Sequence, residues 1–108
     1  MNANEKRFEE VKLRFPHYGY YQKILQAKGF KLVFLIFINE NYVIMRYSKY
    51  SKKLENSLNV EINNEMIIVS SSGFRFYKTF RDETLKKAWN NMCGDEEILK
   101  KFSEFESL

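Results

Sequence analysis

The sequence is poor in the residues from which covalent and metal-based chemistry is usually built. It contains one cysteine, one histidine, one proline and four glycines in 108 residues. A single cysteine excludes an internal disulfide and a cysteine-based zinc site, and it fits a reducing compartment. The glycines are scattered singly, so no glycine-rich phosphate loop is present. We therefore expect a cytoplasmic protein with no cofactor, no metal ion and no catalytic residue.

Long hydrophobic runs are also missing. The longest, Leu32–Ile38, has seven residues, whereas a membrane-spanning helix needs about 20. The first residues, NANEKRFEEVK after the initial methionine, lack the apolar core of a signal peptide. We expect no membrane association, and a chain of this length predicts a single domain over residues 1–108.

The lone histidine and the lone cysteine are the candidates for a paired base and nucleophile. His17 lies near the start of one predicted helix and Cys93 near the end of another. Isolated residues in such places are more often structural than catalytic. The acidic residues 95–97 lack metal-ligand spacing, and carboxylates in the first turn of a helix already interact favourably with its dipole. The sequence therefore favours a protein without catalytic or metal-binding residues.

The strongest structural signal is a β-hairpin. Leu32–Ile38 is apolar at every position, the Asn-Glu-Asn of residues 39–41 is typical of a turn, and Tyr42–Tyr47 alternates as a returning strand. A strand that is apolar on both faces has to be covered on both, or else it presents one face as a contact surface.

The remaining segments predict an α+β domain. Its antiparallel sheet has four to five strands, flanked by two N-terminal and two C-terminal helices. Gly29 is expected to end the second helix in a left-handed conformation. The predicted helices begin at Asn4, at Tyr18, at Thr79 or Asp82, and at Asp95; the later strands cover 59–62, 65–70 and 74–78, and 49–58 is expected to be a loop or a short helical turn.

The charge is unevenly distributed along the chain. Residues 1–58 hold eleven basic and five acidic side chains, whereas residues 59–108 hold seven basic and nine acidic ones. Such an asymmetry can steer an anionic partner to one end of a protein. A solvated surface of mixed charge is the other interpretation.

Two basic segments are interleaved with aromatic residues, around 46–53 and around 75–81. This mixture suits nucleic-acid backbones and stacked bases, but lysine and arginine also protect sheet edges from aggregation. If the strands that carry the segments are close, they form one cationic face. The predicted partner-binding residues are Arg46, Tyr47, Lys49, Tyr50, Lys52, Lys53, Arg75, Tyr77, Lys78, Arg81 and Trp89. Core packing is the other role for these residues, and it is favoured for Trp89.

The stretch AWNNMCGDEEILKKF at residues 88–102 resembles the C-terminal part of small Cas9-inhibiting anti-CRISPR proteins of prophages. The matching positions are Trp89, Asn90, Asp95, Glu96 and Glu97. That family is strongly acidic, whereas this chain has a formal charge of +4. The resemblance implies a compact, non-catalytic protein that blocks a host defence complex.

A second resemblance, by residue type and sheet location, is to the RelE-type toxins. These small basic proteins cleave ribosome-bound mRNA with arginine, lysine and tyrosine side chains and without a metal. The corresponding candidates would be Lys52, Lys53, Arg75, Tyr77 and Arg81.

The sequence thus leads to a primary expectation and two alternatives. The primary expectation is a non-enzymatic inhibitor or adaptor of phage or mobile-element type that binds a host protein or protein–nucleic-acid complex. The alternatives are a module that binds single-stranded RNA or DNA directly, and a RelE-type ribonuclease. The oligomeric state stays open, because an edge strand or a spare apolar face would suit a homodimer.

Overall fold

The computed structural model describes residues 3–50 and 57–106, which form four α-helices and five β-strands. The helices are α1 (Ala3–Arg14), α2 (His17–Ala27), α3 (Leu85–Cys93) and α4 (Glu96–Glu106). The strands are β1 (Lys31–Asn39), β2 (Tyr42–Tyr50), β3 (Ser57–Ile62), β4 (Ile67–Ser71) and β5 (Tyr77–Phe80). The predicted α+β class, with two helices before the sheet and two after it, is confirmed. None of the described helices has the length and hydrophobicity that a membrane crossing requires.

The five strands form one antiparallel meander whose spatial order follows the sequence, β1-β2-β3-β4-β5. Leu35 lies opposite Met45, and Tyr47 lies opposite Val60. These side chains are buried, and so are their neighbours on the same face of β3 and β4. Because side chains alternate between the two faces of a strand, this register defines one inner face for the whole sheet.

The helices pack on the inner face of the sheet. The hydroxyl of Tyr47, on β2, donates a hydrogen bond to Oε1 of Gln22, on α2, at 2.8 Å. Tyr21 of α2 packs against Trp89 of α3 with ring centroids 4.7 Å apart. Both rings are fully buried, and burial of large aromatic side chains supplies much of the stability of a core.

The junction between α2 and β1 is a Schellman motif centred on Gly29, whose φ is +89°. The Phe30 N–H donates to the Leu25 carbonyl at 2.9 Å, and the Gly29 N–H donates to the Gln26 carbonyl at 3.0 Å. These bonds satisfy carbonyls that the helix end leaves without a partner. The predicted left-handed helix end at Gly29 is confirmed.

The connection between β2 and β3 is shorter than the predicted loop over 49–58. Lys49 pairs with Leu58, and Tyr50 pairs with Ser57. The two strands therefore extend further than their hydrophobic pattern indicates, because the sheet pairs polar residues as readily as apolar ones. Residues 51–56 lie outside the described ranges.

The fifth strand begins later than predicted. Residues Ser72–Phe74 form a 3₁₀ turn, in which Gly73 has a φ of +73°, and β5 starts only at Tyr77. The alternation of apolar and polar residues predicted a strand from Phe74. The turn that contains the left-handed Gly73 changes the direction of the backbone there, so the strand begins only at Tyr77.

The starts of two helices also differ from the prediction. The cap of α3 is Thr84, whose Oγ1 accepts a hydrogen bond from the Lys87 N–H at 3.2 Å. Thr79 lies inside β5, and Asp82 precedes the cap. Helix α1 already includes Asn4, so that residue does not occupy the cap.

Two of the buried tyrosines, Tyr21 and Tyr47, give a matched test of core hydrogen bonding. The Tyr21 hydroxyl is buried without a hydrogen-bond partner among the described residues, and burial, with a smaller contribution from Tyr20, raises the pKa of Tyr21 to about 12. We expect Tyr21→Phe to leave the free energy of unfolding unchanged or to raise it by up to about 1 kcal/mol, because an unpaired buried hydroxyl is unfavourable. Tyr47→Phe removes a bonded hydroxyl and should lower that free energy by about 1 kcal/mol.

Urea unfolding of both variants beside the unmodified protein provides the measurement. Equal destabilisation by the two substitutions would show that the Tyr21 hydroxyl has a partner after all.

Candidate binding surface

The outer face of the sheet is the main exposed feature of the fold, and no helix of the described ranges packs on it. We call it the open face. Two rows of side chains cross it according to the strand register: Phe34, Arg46, Glu61, Ile68 and Thr79 in one, and Ser48, Asn59, Ser70 and Tyr77 in the other. Apolar residues dominate the end of the face near β1, and polar residues dominate the end near β5.

A shallow groove of about 440 Å³ runs across the polar end of the open face. We call it the Tyr77 groove; its lining includes Arg46, Asn59, Glu61, Ile68, Ser70 and Tyr77. The Arg46 guanidinium donates a hydrogen bond to Oε2 of Glu61 at 3.0 Å. Among the described residues that line the groove, Arg46 carries the positive charge and Glu61 the negative charge. The groove therefore has no net charge.

Three of the predicted partner-binding residues share the open face. Arg46 lies near its centre, with its guanidinium 5.8 Å from the centroid of the Phe34 ring. Tyr50 and Tyr77 are 58% and 57% exposed. Arg75 is exposed in the bend that precedes β5. Arg46 and Tyr77, which come from separate sequence segments, line the same groove.

The other described basic residues of the two segments lie elsewhere. Lys49 points to the helical side, where its ammonium lies 6.0 Å from the centroid of the buried Phe30 ring. The Lys78 ammonium forms ion pairs with Asp95, at 2.6 Å, and with Glu97, at 3.1 Å. Arg81 follows the far end of β5. Strands β2 and β5 are separated by β3 and β4, so the described residues of the two segments do not form one cationic face.

Two members of the predicted set belong to the core. Tyr47 and Trp89 have exposed fractions of 0% and 1%, so a partner cannot contact their side chains in the folded protein. For these two residues the burial supports the alternative role, packing in the core. Tyr47 faces inward because strand alternation places it opposite Val60, and Trp89 lies on the inner side of its helix. Lys52 and Lys53 lie outside the described residues, and their role stays a prediction.

Sequence reasoning missed several residues of the surface. Asn59, Glu61 and Ser70 line the groove, yet they were predicted only as ordinary strand residues. Their alternation with the buried Val60 and Val69 carried the signal, because polar residues at every second position mark the face that is not in the core.

The histidine and the cysteine lie near opposite ends of α2. Cys93 lies near Lys28, which follows the last residue of α2, whereas His17 begins that helix. Eleven residues of helix at about 1.5 Å per residue separate His17 from Lys28 by roughly 16 Å along the axis of α2. Burial raises the pKa of the Cys93 thiol, partly offset by Lys28, and burial lowers the pKa of His17. Among the described residues, no group of three or more His, Cys, Asp or Glu side chains is placed to hold a metal ion.

No protein-family model, curated protein or solved structure matches this chain.

The Lys78–Asp95 contact joins β5 to the start of α4 and predicts a pH dependence of stability. The hydrogen bond from Lys78, with a second from the Ile98 N–H, lowers the pKa of Asp95 below its usual value. A carboxylate with a lowered pKa in the folded state stabilises the protein above its unfolded pKa of about 3.9, and that contribution is lost as the pH falls through the folded pKa.

We therefore expect Asp95→Asn to be less stable than the unmodified protein at pH 7 and to lose less stability on acidification below about pH 4. Glu96→Gln, in the same helical turn, is the control and should retain the acid-dependent loss. Thermal unfolding across this pH range measures both; parallel curves for Asp95→Asn and the unmodified protein would refute the assignment.

Proposed function

We propose that this protein is a non-enzymatic inhibitor or adaptor that binds a host protein or a protein–nucleic-acid complex through the Tyr77 groove. The observation that carries the proposal is the one-sided sheet, since helices cover the inner face and leave a groove with an exposed tyrosine on the other. A binding protein of this kind acts by occupying a surface of its target. The phage or mobile-element origin follows from the anti-CRISPR resemblance and belongs to the same proposal.

The chemistry of the groove supports a protein target. Tyrosine and arginine are enriched among the residues that dominate binding energies, because they combine a large contact area with hydrogen-bonding groups. Tyr77 is more than half exposed, and Arg46 lies in the same groove. Asn59 and Ser70 add short polar side chains that can pair with a peptide backbone. The groove is shallow, as protein-binding surfaces usually are.

Electrostatics also favour a protein over a phosphate backbone at this groove. Arg46 is held by Glu61 at 3.0 Å, so a phosphate would have to compete with a carboxylate that is already in place. Proteins that bind nucleic acid without sequence preference use a positively charged groove. The Tyr77 groove has equal numbers of positive and negative side chains.

Direct binding of single-stranded nucleic acid is the second candidate, and one observation favours it. Tyr50 and Tyr77 are both exposed on the open face. Arg46 lies on the same strand as Tyr50, and Arg75 is exposed two residues before Tyr77. Exposed aromatic rings on a sheet are stacking platforms for bases.

The RelE-type alternative has less support. Arg75 precedes β5 and Arg81 follows it, so these two arginines lie at opposite ends of the strand. A ribonuclease that works without a metal needs its cationic side chains to converge on one phosphate, and this pair does not converge.

The central test is the dependence of target capture on Tyr77. A tagged protein is incubated with bacterial lysate, with and without nuclease, and bound proteins are identified by mass spectrometry. We expect a stoichiometric partner that survives nuclease treatment and whose affinity falls about 10- to 30-fold for Tyr77→Ala, the effect of removing a dominant contact.

Tyr20→Ala is the matched control, because Tyr20 is a similarly exposed tyrosine on α2. Equal affinity of the Tyr77→Ala and Tyr20→Ala proteins for the captured partner would exclude the groove as the binding site.

Salt dependence separates the two candidates. Phosphate contacts release counterions, so a nucleic-acid binder loses affinity linearly on a logarithmic salt scale, with a slope of about −0.7 per contact for single strands. We expect a shallow dependence for the captured protein partner. A steep dependence, together with loss of the bound material after nuclease treatment, would instead support direct binding to RNA or DNA.

A further inference from the structure

A second cleft, of about 400 Å³, lies where the α1–α2 junction, the β3–β4 turn and the start of α3 meet. We call it the elbow cleft; it is lined by Phe15, His17, Tyr18, Asn64, Thr84, Leu85 and Lys86. Among the described residues, its lining shares none with the Tyr77 groove. Its volume is within the range of pockets that hold small molecules.

We propose that the elbow cleft binds a small aromatic anion, a molecule with one ring and one carboxylate or phosphate group. The proposal rests on the charge of the lining, on the hydrogen bonds that orient Asn64, and on the aromatic rings beside them. It is independent of the function proposed for the Tyr77 groove.

The charge of the cleft favours an anion. No carboxylate is present among the described residues of the lining, to which Lys86 contributes a positive charge. The carboxylates that follow Asn64 and precede Thr84 in the sequence interact with other cations. Glu65 lies 3.9 Å from Arg81, and Glu83 forms an ion pair with Lys87 at 2.9 Å. The ammonium of Lys86 can therefore pair with an anionic group of a ligand.

Asn64 supplies hydrogen-bond donors for the same group. Its Oδ1 accepts one hydrogen bond from the Tyr18 hydroxyl and one from the Val43 N–H, each at 3.0 Å. These bonds occupy both lone pairs of the oxygen, so the amide offers a ligand its two N–H groups. An amide donor and an ammonium together match the oxygen atoms of a carboxylate or a phosphate.

Aromatic side chains provide a surface for the ring of the ligand. The rings of Phe15 and Tyr18 have centroids 5.4 Å apart, and those of His17 and Tyr18 have centroids 4.4 Å apart. Tyr18 is buried, whereas Phe15 is half-buried and His17 is exposed. Burial lowers the pKa of His17 from its ordinary value of 6.5, so its ring is mainly uncharged at pH 7. Accessible neutral rings favour offset or edge-to-face contacts with another aromatic ring.

Titration of the full ¹⁵N-labelled chain with phenyl phosphate, followed by NMR, tests the proposal. We expect saturable shifts of the backbone N–H signals of Asn64, Leu85 and Lys86. The dissociation constant should be roughly 1 mM, because a probe with one ring has few atoms to contribute to binding. Benzoate should shift the same signals. Benzyl alcohol lacks the charge and inorganic phosphate lacks the ring, so each should bind about tenfold more weakly or less.

A pair of adjacent lysines identifies the cation. Lys86→Gln removes the charge of the cleft and should weaken the binding of phenyl phosphate about three- to tenfold. Lys87→Gln is the matched control, because Lys87 is the next residue of α3 and pairs with Glu83 outside the cleft. This variant should bind phenyl phosphate as the unmodified protein does.

An exchange at Asn64 tests the donor. Asn64→Asp retains oxygen acceptors for the Tyr18 hydroxyl and the Val43 N–H, but it replaces the amide donors with a negative charge. We expect it to abolish binding of phenyl phosphate, since like charges in contact repel. Circular dichroism melts verify that the variants fold, and the Lys86→Gln comparison tests the site even if Asn64→Asp does not.

Other outcomes overturn the proposal. Shifts that do not saturate, or that are as large with inorganic phosphate as with phenyl phosphate, would exclude an aromatic-anion site. Equal weakening by Lys86→Gln and Lys87→Gln would show a general attraction to the basic chain and would exclude it as well. The titration uses purified protein, so its failure is distinct from failure of the Tyr77 groove to bind a target.

Discussion

The pairing of β1 with β2 is the constraint on which the rest of the structure depends. A shift of one residue in this register would exchange the two faces of a strand. With Leu35 opposite Met45, the inner positions of the hairpin join those of β3 and β4 in one buried layer. The same register sends Phe34, Ile36 and Arg46 outward. The hairpin therefore determines both the core and the open face.

The helices confine the apolar contacts of the core to one side of the sheet. The Schellman motif at Gly29 ends α2 and turns the chain into β1, and the Tyr47 hydroxyl donates a hydrogen bond across the layers to Gln22 of α2. At the opposite end of the sheet, Lys78 connects β5 to α4 through Asp95. Both connections lie on the inner side, and among the described residues nothing comparable holds an element against the outer side.

The fold could be predicted from the sequence because its signals are local. The seven-residue apolar run, the Asn-Glu-Asn turn and Gly29 each determine a short stretch of backbone, and periodicity defines the remaining elements. The errors concern the ends of elements, where strand pairing with another part of the chain or the choice among neighbouring capping residues decides the boundary. Tyr50 joins β2 because Ser57 pairs with it, and Thr84 becomes the cap because its side chain reaches the Lys87 N–H.

The candidate site was less predictable than the fold. From residue type alone, the same partner-binding role was predicted for Tyr47 as for Tyr50, and for Trp89 as for Tyr77. In the structure, Tyr47 and Trp89 are buried, whereas Tyr50 and Tyr77 are exposed. Whether an aromatic residue of a strand packs in the core or faces a partner depends on the face it occupies, and in β2 the faces alternate from Arg46 to Tyr47. A single basic face required the two basic segments to lie close together, and the strand order places β3 and β4 between β2, which carries Arg46, and β5, which Arg75 precedes.

The placement of charge suggests how a basic protein could use an electrically balanced surface. Lys28, Lys49 and Lys101 lie beside the rings of Phe102, Phe30 and Phe76, at 5.5–6.0 Å from the ring centroids, on the helical side of the sheet or at its margin. These cations contribute to the long-range field of the molecule, which governs solubility and the rate of encounter with charged partners. The open face, where Arg46 and Glu61 neutralise each other, contributes little to that field. If the groove binds as proposed, specificity there comes from its shape, from Tyr77 and from short polar side chains. Net charge and binding surface can therefore change independently in this fold, and the sign of the total charge does not identify the partner.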